Sequence, residues 1–186
     1  MGRYRAGIET RERIIAATRD LLAEEGLEAA TLKAICDRAG VRAGSFYNLF
    51  ATKDDPIIEV VRAAIQAVDP HPGGEDGDTV AELVEAYIRF ITGDPGLARI
   101  YLQLAVSGGL DDEALGRRML SHHRNRAARF GAAIAREAPR AGPGEAEWRA
   151  ELMLATLNGL AFRWLLEPDF DFGERARHLV PKAATG

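Results

Sequence analysis

The sequence has little cysteine and no long apolar run, and both shortages exclude classes of protein. Its one cysteine, Cys36, cannot form an internal disulfide, and its helical core spacing with Leu32, Ile35 and Ala39 predicts a buried structural thiol. No run of about 18 apolar residues is present, so we expect no membrane-spanning helix. The polar N-terminal stretch MGRYRAGIETRER lacks the apolar segment of a secretory signal, and we expect a cytoplasmic protein.

Catalytic and metal-binding motifs are also missing. The chain has no GxSxG, Walker loop, dinucleotide-binding fingerprint or HExxH sequence. The adjacent His122 and His123 point about 100° apart on a helix, so they cannot chelate one ion together. We therefore expect no enzymatic activity, no metal and no cofactor.

What the chain does contain is an ordinary globular composition with uneven charge. Hydrophobic residues make up 47% and charged residues 28% of 186 residues, which excludes global disorder. The formal net charge is -4, yet residues 1–53 hold nine Lys/Arg against seven Asp/Glu. A mildly basic head therefore precedes an acidic remainder, and a phosphate backbone responds to the local field.

Apolar spacing of period 3.6 recurs from end to end, whereas strand-like alternation is absent, so the predicted fold class is all-α. Asp55 is predicted as the N-cap of the fourth helix, with Pro56 at its first position. We expect about nine helices: four over roughly 10–25, 32–39, 42–50 and 56–68, a fifth after Thr79, a sixth opened by Asp94 and Pro95, a seventh ending near Pro139, an eighth over 143–166, and a short ninth after Asp171.

The stretch DPHPGGEDGD, at 69–78, is the one clear linker because it is rich in proline, glycine and acid. We expect the boundary between two domains to lie inside this linker or just before it. By predicted role, residues 1–54 form a helix-turn-helix DNA-binding domain. Residues 55–186 form a helical domain for effector binding and dimerisation.

The second and third predicted helices, with a short glycine-containing turn between them, have the spacing of a helix-turn-helix. Val41, Phe46 and Phe50 are expected to face the core. Arginine can read guanine, asparagine can read adenine, and hydroxyl groups reach phosphates. The outward residues are Arg42, Ala43, Ser45, Tyr47 and Asn48.

Further residues near this motif suit a phosphate backbone. Gly44 lowers the stability of a helix by about 0.5 to 1 kcal/mol relative to alanine, unless another molecule approaches its backbone closely. Thr31 starts a helix whose N–H groups suit a phosphate, Lys33 lies in the same turn, and Lys53 follows the third helix. Arg3 and Arg5 suggest either an arm in a minor groove or a frayed, solvated terminus.

The segment TLKAICDRAGVRAGSFYNLFATKDD, at 31–55, resembles the DNA-binding domain of TetR-family transcriptional regulators. The resemblance covers about the first third of the chain. It implies a homodimer that binds an inverted-repeat operator and is released by a small molecule bound in the helical C-terminal domain. It also implies phosphate contacts at Thr31, Tyr47 and Lys53.

The sequence departs from this family at two places. Arg42 stands where the family often has a Ser or Thr N-cap, and Asn48 and Leu49 stand where His or Tyr is common. The resemblance therefore implies no operator sequence. Two alternatives stay open: a helix-turn-helix protein that senses no effector, and an activator.

The eighth predicted helix is apolar nearly all round, from Trp148 to Leu166. A helix apolar on every side is buried on every side, which suggests that a second copy of the chain covers one face. Family resemblance implies a homodimer through helices eight and nine. The alternative is the central helix of a monomeric bundle.

A mainly apolar pocket with few polar groups is predicted in the second domain, for a lipophilic or aromatic effector. His123 lies on an apolar stripe of the seventh helix and is expected to face the interior, as a core histidine or as a pocket residue. The candidate pocket residues are Tyr87, Phe90, Tyr101, Leu104, His123, Arg126, Phe130, Asn158 and Phe162.

Overall fold

The computed structural model describes residues 2–71, 77–107, 113–139 and 142–180, and in these ranges it contains helices and no strand. The predicted all-α fold class is confirmed. Parts of the predicted linker and of the segment before the seventh helix lie outside the described residues. The helices are α1 (Gly2–Glu24), α2 (Leu32–Ala39), α3 (Ala43–Tyr47), α4 (Asp54–Ala67), α5 (Val80–Gly93), α6 (Pro95–Ser107), α7 (Glu113–Glu137), α8 (Pro143–Leu166) and α9 (Phe172–Arg177).

The chain divides into two compact units, Met1–Ala64 and Ile65–Gly186. The division lies within α4, whereas the assignment by role places the boundary at the start of that helix. In the first unit, α1 packs on α2 and α2 on α3. Its core is apolar and closely filled, with Ile14, Ile35 and Phe46 fully buried.

The first helix begins at Gly2, earlier than the predicted start at Thr10. Thr10 does not cap a helix; its hydroxyl donates a 2.7 Å hydrogen bond to the carbonyl of Ala6, one turn back. Arg5 lies on this helix and forms an ion pair with Glu9, so the structure does not show Arg5 as an extended arm. The side chain of Arg3 lies outside the described part of the structure.

The start of α4 also differs from the prediction. The helix begins at Asp54, and the Asp55 carboxylate accepts hydrogen bonds from the N–H groups of Ala51 and Thr52, at 2.7 and 2.8 Å. Asp55 therefore reaches back to the preceding turn and is not the N-cap. Pro56 remains in the first turn, where its missing N–H has no intrahelical acceptor to lose.

The second unit is a bundle in which α7 and α8 form the most extensive helix pair. Thr79 and Glu82 form the predicted capping box of α5, with both reciprocal hydrogen bonds present. The short α9 packs on α5 and α8 and buries Phe172 and Ala176. None of the helices described is long and apolar enough to cross a membrane.

Candidate nucleic-acid interface and pocket

The turn between α2 and α3 is set by one glycine. Gly40 has φ 65° and ψ 39°, a left-handed conformation that glycine adopts without a Cβ penalty. The N–H of Val41 then donates a 3.0 Å hydrogen bond to the carbonyl of Cys36, and Arg42 is extended at φ -86° and ψ 153°. This geometry ends α2 and starts α3 within three residues.

Two aromatic side chains anchor α3 to the head. Phe46 is fully buried and Phe50 nearly so, with their ring centroids 5.4 Å apart. The Arg11 guanidinium of α1 lies 5.3 Å from the centroid of the Phe50 ring and also pairs with Glu59 on α4. The helix itself is shorter than predicted, but the N–H groups of Leu49 and Phe50 still bond to the carbonyl of Phe46.

The opposite side of this motif is open to solvent. A Cβ atom added at Gly44 would meet nothing within 4 Å, so packing inside the chain does not require glycine there. Arg42 starts α3 without a side-chain capping bond, which agrees with the missing Ser or Thr. All nine candidate DNA-binding residues are exposed: Thr31, Lys33, Arg42, Ala43, Gly44, Ser45, Tyr47, Asn48 and Lys53.

Neighbouring carboxylates hold both candidate lysines in ion pairs. The Lys33 ammonium lies 2.7 Å from Asp37, whose hydrogen bond raises the pKa of Lys33. The Lys53 ammonium lies 2.7 Å from Asp54. Exposed ion pairs of this kind contribute little to stability, so a phosphate can replace the carboxylate at little cost.

A cavity of about 70 Å³ lies in the second unit among α4, α5 and α7. Tyr87, Phe90, Arg126 and Phe130, all predicted pocket residues, line it. The sequence prediction missed seven further wall residues, four at or after the end of α4, two on α5 and one on α7, because no local motif marks them as neighbours. These residues are Ile65, Val68, Asp69, Pro70, Leu83, Ala86 and Arg129.

Polar groups are concentrated at one edge of this cavity. The Arg126 guanidinium lies 4.7 Å from the Tyr87 ring centroid and donates a 2.6 Å hydrogen bond to the Tyr101 hydroxyl. The Tyr87 hydroxyl donates to Oδ1 of Asn158 at 2.8 Å, and burial raises the pKa of Tyr87. Tyr101 and Asn158 therefore support wall residues and do not line the cavity.

The remaining predicted pocket residues lie elsewhere. Leu104 is buried but does not line this cavity, and Phe162 is exposed on α8. His123 does not line this cavity: its ring is partly exposed, pairs with Glu151 at 2.9 Å and belongs to the wall of another, more open pocket beside Met119 and Leu120. The neighbouring His122 is half-buried with its Nε2 atom shielded from solvent, and desolvation lowers its pKa to about 4. Beside it, Arg126 places its guanidinium over the rings of Tyr87 and Tyr101.

A second arginine of α7 holds the chain on both sides of the predicted linker. The Arg129 guanidinium binds both carboxylate oxygens of Asp69, at 2.6 and 2.7 Å, and also contacts the buried Asp78. Hydrogen bonds from Arg129 are the largest cause of the lowered pKa values of Asp69 and Asp78. We name Arg129, Asp69 and Asp78 the Arg129 clamp; it joins the residues after α4 and before α5 to α7.

The exposed face of α8 carries a regular apolar stripe. Its members recur every three or four residues, the spacing of a seam between packed helices. A contiguous apolar stripe exposed to water indicates an interaction surface, whereas single exposed apolar residues do not. The α8 stripe consists of Trp148, Leu152, Ala155, Gly159, Phe162 and Leu166.

Comparisons with known proteins agree with these features. Residues 14–60 match the family model of bacterial regulatory proteins, tetR family. A transcriptional regulator from Rhodococcus sp. Rha1 is 27% identical, with a TM-score of 0.65 and 91% of each chain covered. No curated protein sequence matches the chain.

Two further solved structures are similar over most of their length. The multidrug binding protein EbrR, complexed with imidazole, is 26% identical with a TM-score of 0.65, covering 94% of this chain and 92% of its own. SmeT, the repressor of the Stenotrophomonas maltophilia multidrug efflux pump SmeDEF, is 21% identical with a TM-score of 0.65, covering 92% and 88%; this likeness shows the fold. The resemblance drawn from residues 31–55 is confirmed.

Proposed function

We propose that this chain, a transcriptional regulator with a TetR-family DNA-binding domain, is a homodimeric repressor that a small effector releases from an inverted-repeat operator. The observation that carries the proposal is that α3 has one buried side and one side exposed to solvent. Its phenylalanines hold it in the head, while every candidate contact residue faces solvent. A short helix anchored in this way forms a rigid insert for a major groove.

Roles within the interface follow from side-chain chemistry. Arg42 has no hydrogen bond or ion pair within the described residues and is free to form a bidentate pair with guanine. Asn48 suits adenine, while Ala43 and Ser45 lie beside them on α3. Thr31, Lys33, Tyr47 and Lys53 supply phosphate contacts, and Gly44 allows the backbone of the operator to approach.

The α8 stripe supports the homodimer. Burying it against a second copy removes several large apolar side chains from water, which is the main driving force of protein association. We assign the interface to α8 rather than to helices eight and nine together, because the apolar residues of α9 are already buried in their own unit. Two-fold symmetry would then place two α3 helices one DNA turn apart, about 34 to 36 Å.

Effector release requires only a modest coupling energy. The cavity wall includes Ile65 at the end of α4, and α4 begins directly after the candidate phosphate contact Lys53. An effector that prefers the DNA-incompetent state by about 1 to 3 kcal/mol would release the operator. The similarity to EbrR, a multidrug binding protein, supports a ligand-binding role for this cavity.

Selection of bound fragments from random double-stranded DNA tests the proposal. We expect an inverted repeat, and we expect Arg42→Ala to change the preferred base at one position of each half-site. The matched control is Arg62→Ala, which removes an exposed arginine of α4 from the same unit. Failure to retain any duplex in dilute salt, or an equal change in the control, would contradict the proposal.

A further inference from the structure

Most of the cavity wall is apolar, and its charged residues, Asp69, Arg126 and Arg129, form its polar edge. Leu83, Ala86, Phe90 and Phe130 provide aliphatic and aromatic wall, and Val68 adds to it from the residues after α4. Such a wall favours a flat or hydrocarbon portion of a ligand. The polar edge therefore decides which charge the ligand carries.

Arg126 is the one wall residue with an unused charge. It is partly buried, its guanidinium lies near the rings of Tyr87 and Tyr101, and it donates a hydrogen bond to the Tyr101 hydroxyl. No described carboxylate lies within ion-pair distance of it. Most N–H groups of this planar fork remain available for a carboxylate, which guanidinium groups bind in bidentate fashion.

A cationic ligand finds no equivalent partner. Both carboxylate oxygens of Asp69, the acidic residue of the wall, already accept hydrogen bonds from Arg129. Asp78, the other carboxylate of the Arg129 clamp, is buried and does not line the cavity. A ligand ammonium would have to displace Arg129, whereas a ligand carboxylate need only meet Arg126.

We propose that the effector is an aromatic or lipophilic anion whose acid group binds the Arg126 guanidinium while its apolar part fills the space between Phe90 and Phe130. This inference rests on the proposed function and names the chemical class of its effector. Stacking of Arg126 over tyrosine holds the guanidinium in place before the ligand arrives, so less entropy is lost on binding.

The size of the cavity connects this recognition to α4. At about 70 Å³ the cavity is smaller than the roughly 150 Å³ that holds a benzene molecule. An aromatic anion that enters fully must therefore push wall residues apart. Ile65 at the end of α4 and Val68 just after it belong to that wall, so entry of the anion displaces the segment that leads back to the head.

The test compares three naphthalene probes on the full-length chain: naphthoate, naphthylmethanol and naphthylmethylammonium. They share one ring system and differ in charge. Isothermal titration calorimetry should show naphthoate binding about tenfold or more tightly than both others, because a charged hydrogen-bonded pair forms only with the carboxylate. Equal affinities, tightest binding of the ammonium probe, or no binding of naphthoate would overturn the inference.

Variants then assign the preference to one side chain. Arg126→Met should make the affinities for naphthoate and naphthylmethanol equal, and Arg126→Lys should keep part of the difference. The matched control Arg124→Met removes an exposed arginine from the same helix and should leave the preference intact. If the preference for naphthoate survives Arg126→Met in a chain with unchanged circular dichroism, the inference is also overturned.

DNA retention measured on the same samples separates the two proposals. If the wild-type chain retains operator DNA but shows no preference for naphthoate, the effector class is wrong and the repressor function stands. If naphthoate binds with the expected preference but no duplex is retained, the pocket chemistry stands and the repressor function is wrong.

Discussion

Gly44 offers a direct way to separate folding from DNA binding at a single residue. A methyl group added there meets no atom of the chain, and the residue lies inside α3. We expect Gly44→Ala to raise the free energy of unfolding by about 0.5 to 1 kcal/mol, because alanine loses less backbone entropy. We also expect it to weaken operator binding at least several-fold, since the operator backbone needs that space.

Urea unfolding and fluorescence anisotropy with labelled operator would measure the two effects. Gly7→Ala in α1 is the matched control, because it also meets no atom within 4 Å. It should stabilise the chain without changing operator affinity. Unchanged operator affinity of Gly44→Ala would remove the proposed reason for glycine at this position.

His122 predicts a pH dependence of stability. Its pKa falls from 6.5 to about 4, first through desolvation and then through Arg126 and His123 on the same helix, while its ring packs at 6.1 Å from that of Tyr101. Between these pH values the unfolded chain binds a proton that the folded chain does not. Stability should therefore fall as pH decreases through this window, by about 1 to 2 kcal/mol for a partly exposed group.

Unfolding by urea at fixed protein concentration, between pH 6.5 and about 4, would measure this loss. His122→Phe keeps a ring but cannot titrate, so its stability should change less over the window. The carboxylates of the Arg129 clamp, Asp69 and Asp78, have pKa values below 3.8. Their contribution to the stability of the folded chain therefore persists above pH 3.8 and is lost only at lower pH. A variant as pH-sensitive as wild type would contradict the assignment.

At the scale of elements, the exposed apolar stripe of α8 predicts that the chain forms a dimer. Phe162 belongs to the α8 stripe and is 58% exposed, so Phe162→Glu should leave the monomer folded while placing a charge in the interface. We expect the variant to be monomeric in sedimentation at concentrations where wild type is dimeric. Val106→Glu is the matched control, because Val106 is 65% exposed on α6, away from the stripe. A dimeric Phe162→Glu would place the interface elsewhere.

The positions of the helices could be predicted from the sequence more reliably than their ends. The periodic apolar residues predicted α5, and Thr79 with Glu82 predicted its capping box. Gly40 predicted the turn of the helix-turn-helix. The start of α1 was predicted near Thr10, although the hydroxyl of Thr10 donates to the carbonyl of Ala6 inside the helix. Local patterns do not show whether a threonine hydroxyl will accept a hydrogen bond as a helix cap or donate one to a carbonyl within the helix.

The candidate pocket could be predicted only in part, for a related reason. Tyr87, Phe90 and Phe130 follow from helical spacing, because large apolar residues on an inward face tend to meet. The Arg129 clamp joins residues far apart in sequence, and no local pattern pairs Asp69 and Asp78 with one arginine. Helical spacing from Met119 to Phe130 pointed to His123, whereas the ring nitrogen that is shielded from solvent belongs to His122.

Over the whole molecule, charge is arranged so that an acidic chain can bind DNA. Screening limits electrostatic effects to about 10 Å at moderate salt, so we expect operator DNA to respond mainly to the cations assigned to the interface, Lys33, Arg42 and Lys53. Six such cations in a dimer predict a slope of about -5 for the logarithm of operator affinity against the logarithm of salt concentration.

Lys53→Met should reduce the magnitude of that slope by about 2, and it should weaken binding to all sequences similarly. Anisotropy titrations over a range of salt concentrations would measure both effects. Arg62→Met provides the comparison, since it removes an exposed cation of the same unit that is not assigned to the interface. A slope unchanged by Lys53→Met would exclude this lysine as a phosphate contact.

The buried thiol of Cys36 gives the protein a built-in reporter of motion in its head. It is the only cysteine of the chain, its pKa is raised by burial, and both tryptophans, Trp148 and Trp164, belong to the other compact unit. Thiol-exchange rates therefore measure transient opening of residues 1–64, while indole fluorescence follows residues 65–186. With no label introduced, an aromatic anion that quenches the indoles and alters the exchange rate would reveal communication between the two units directly.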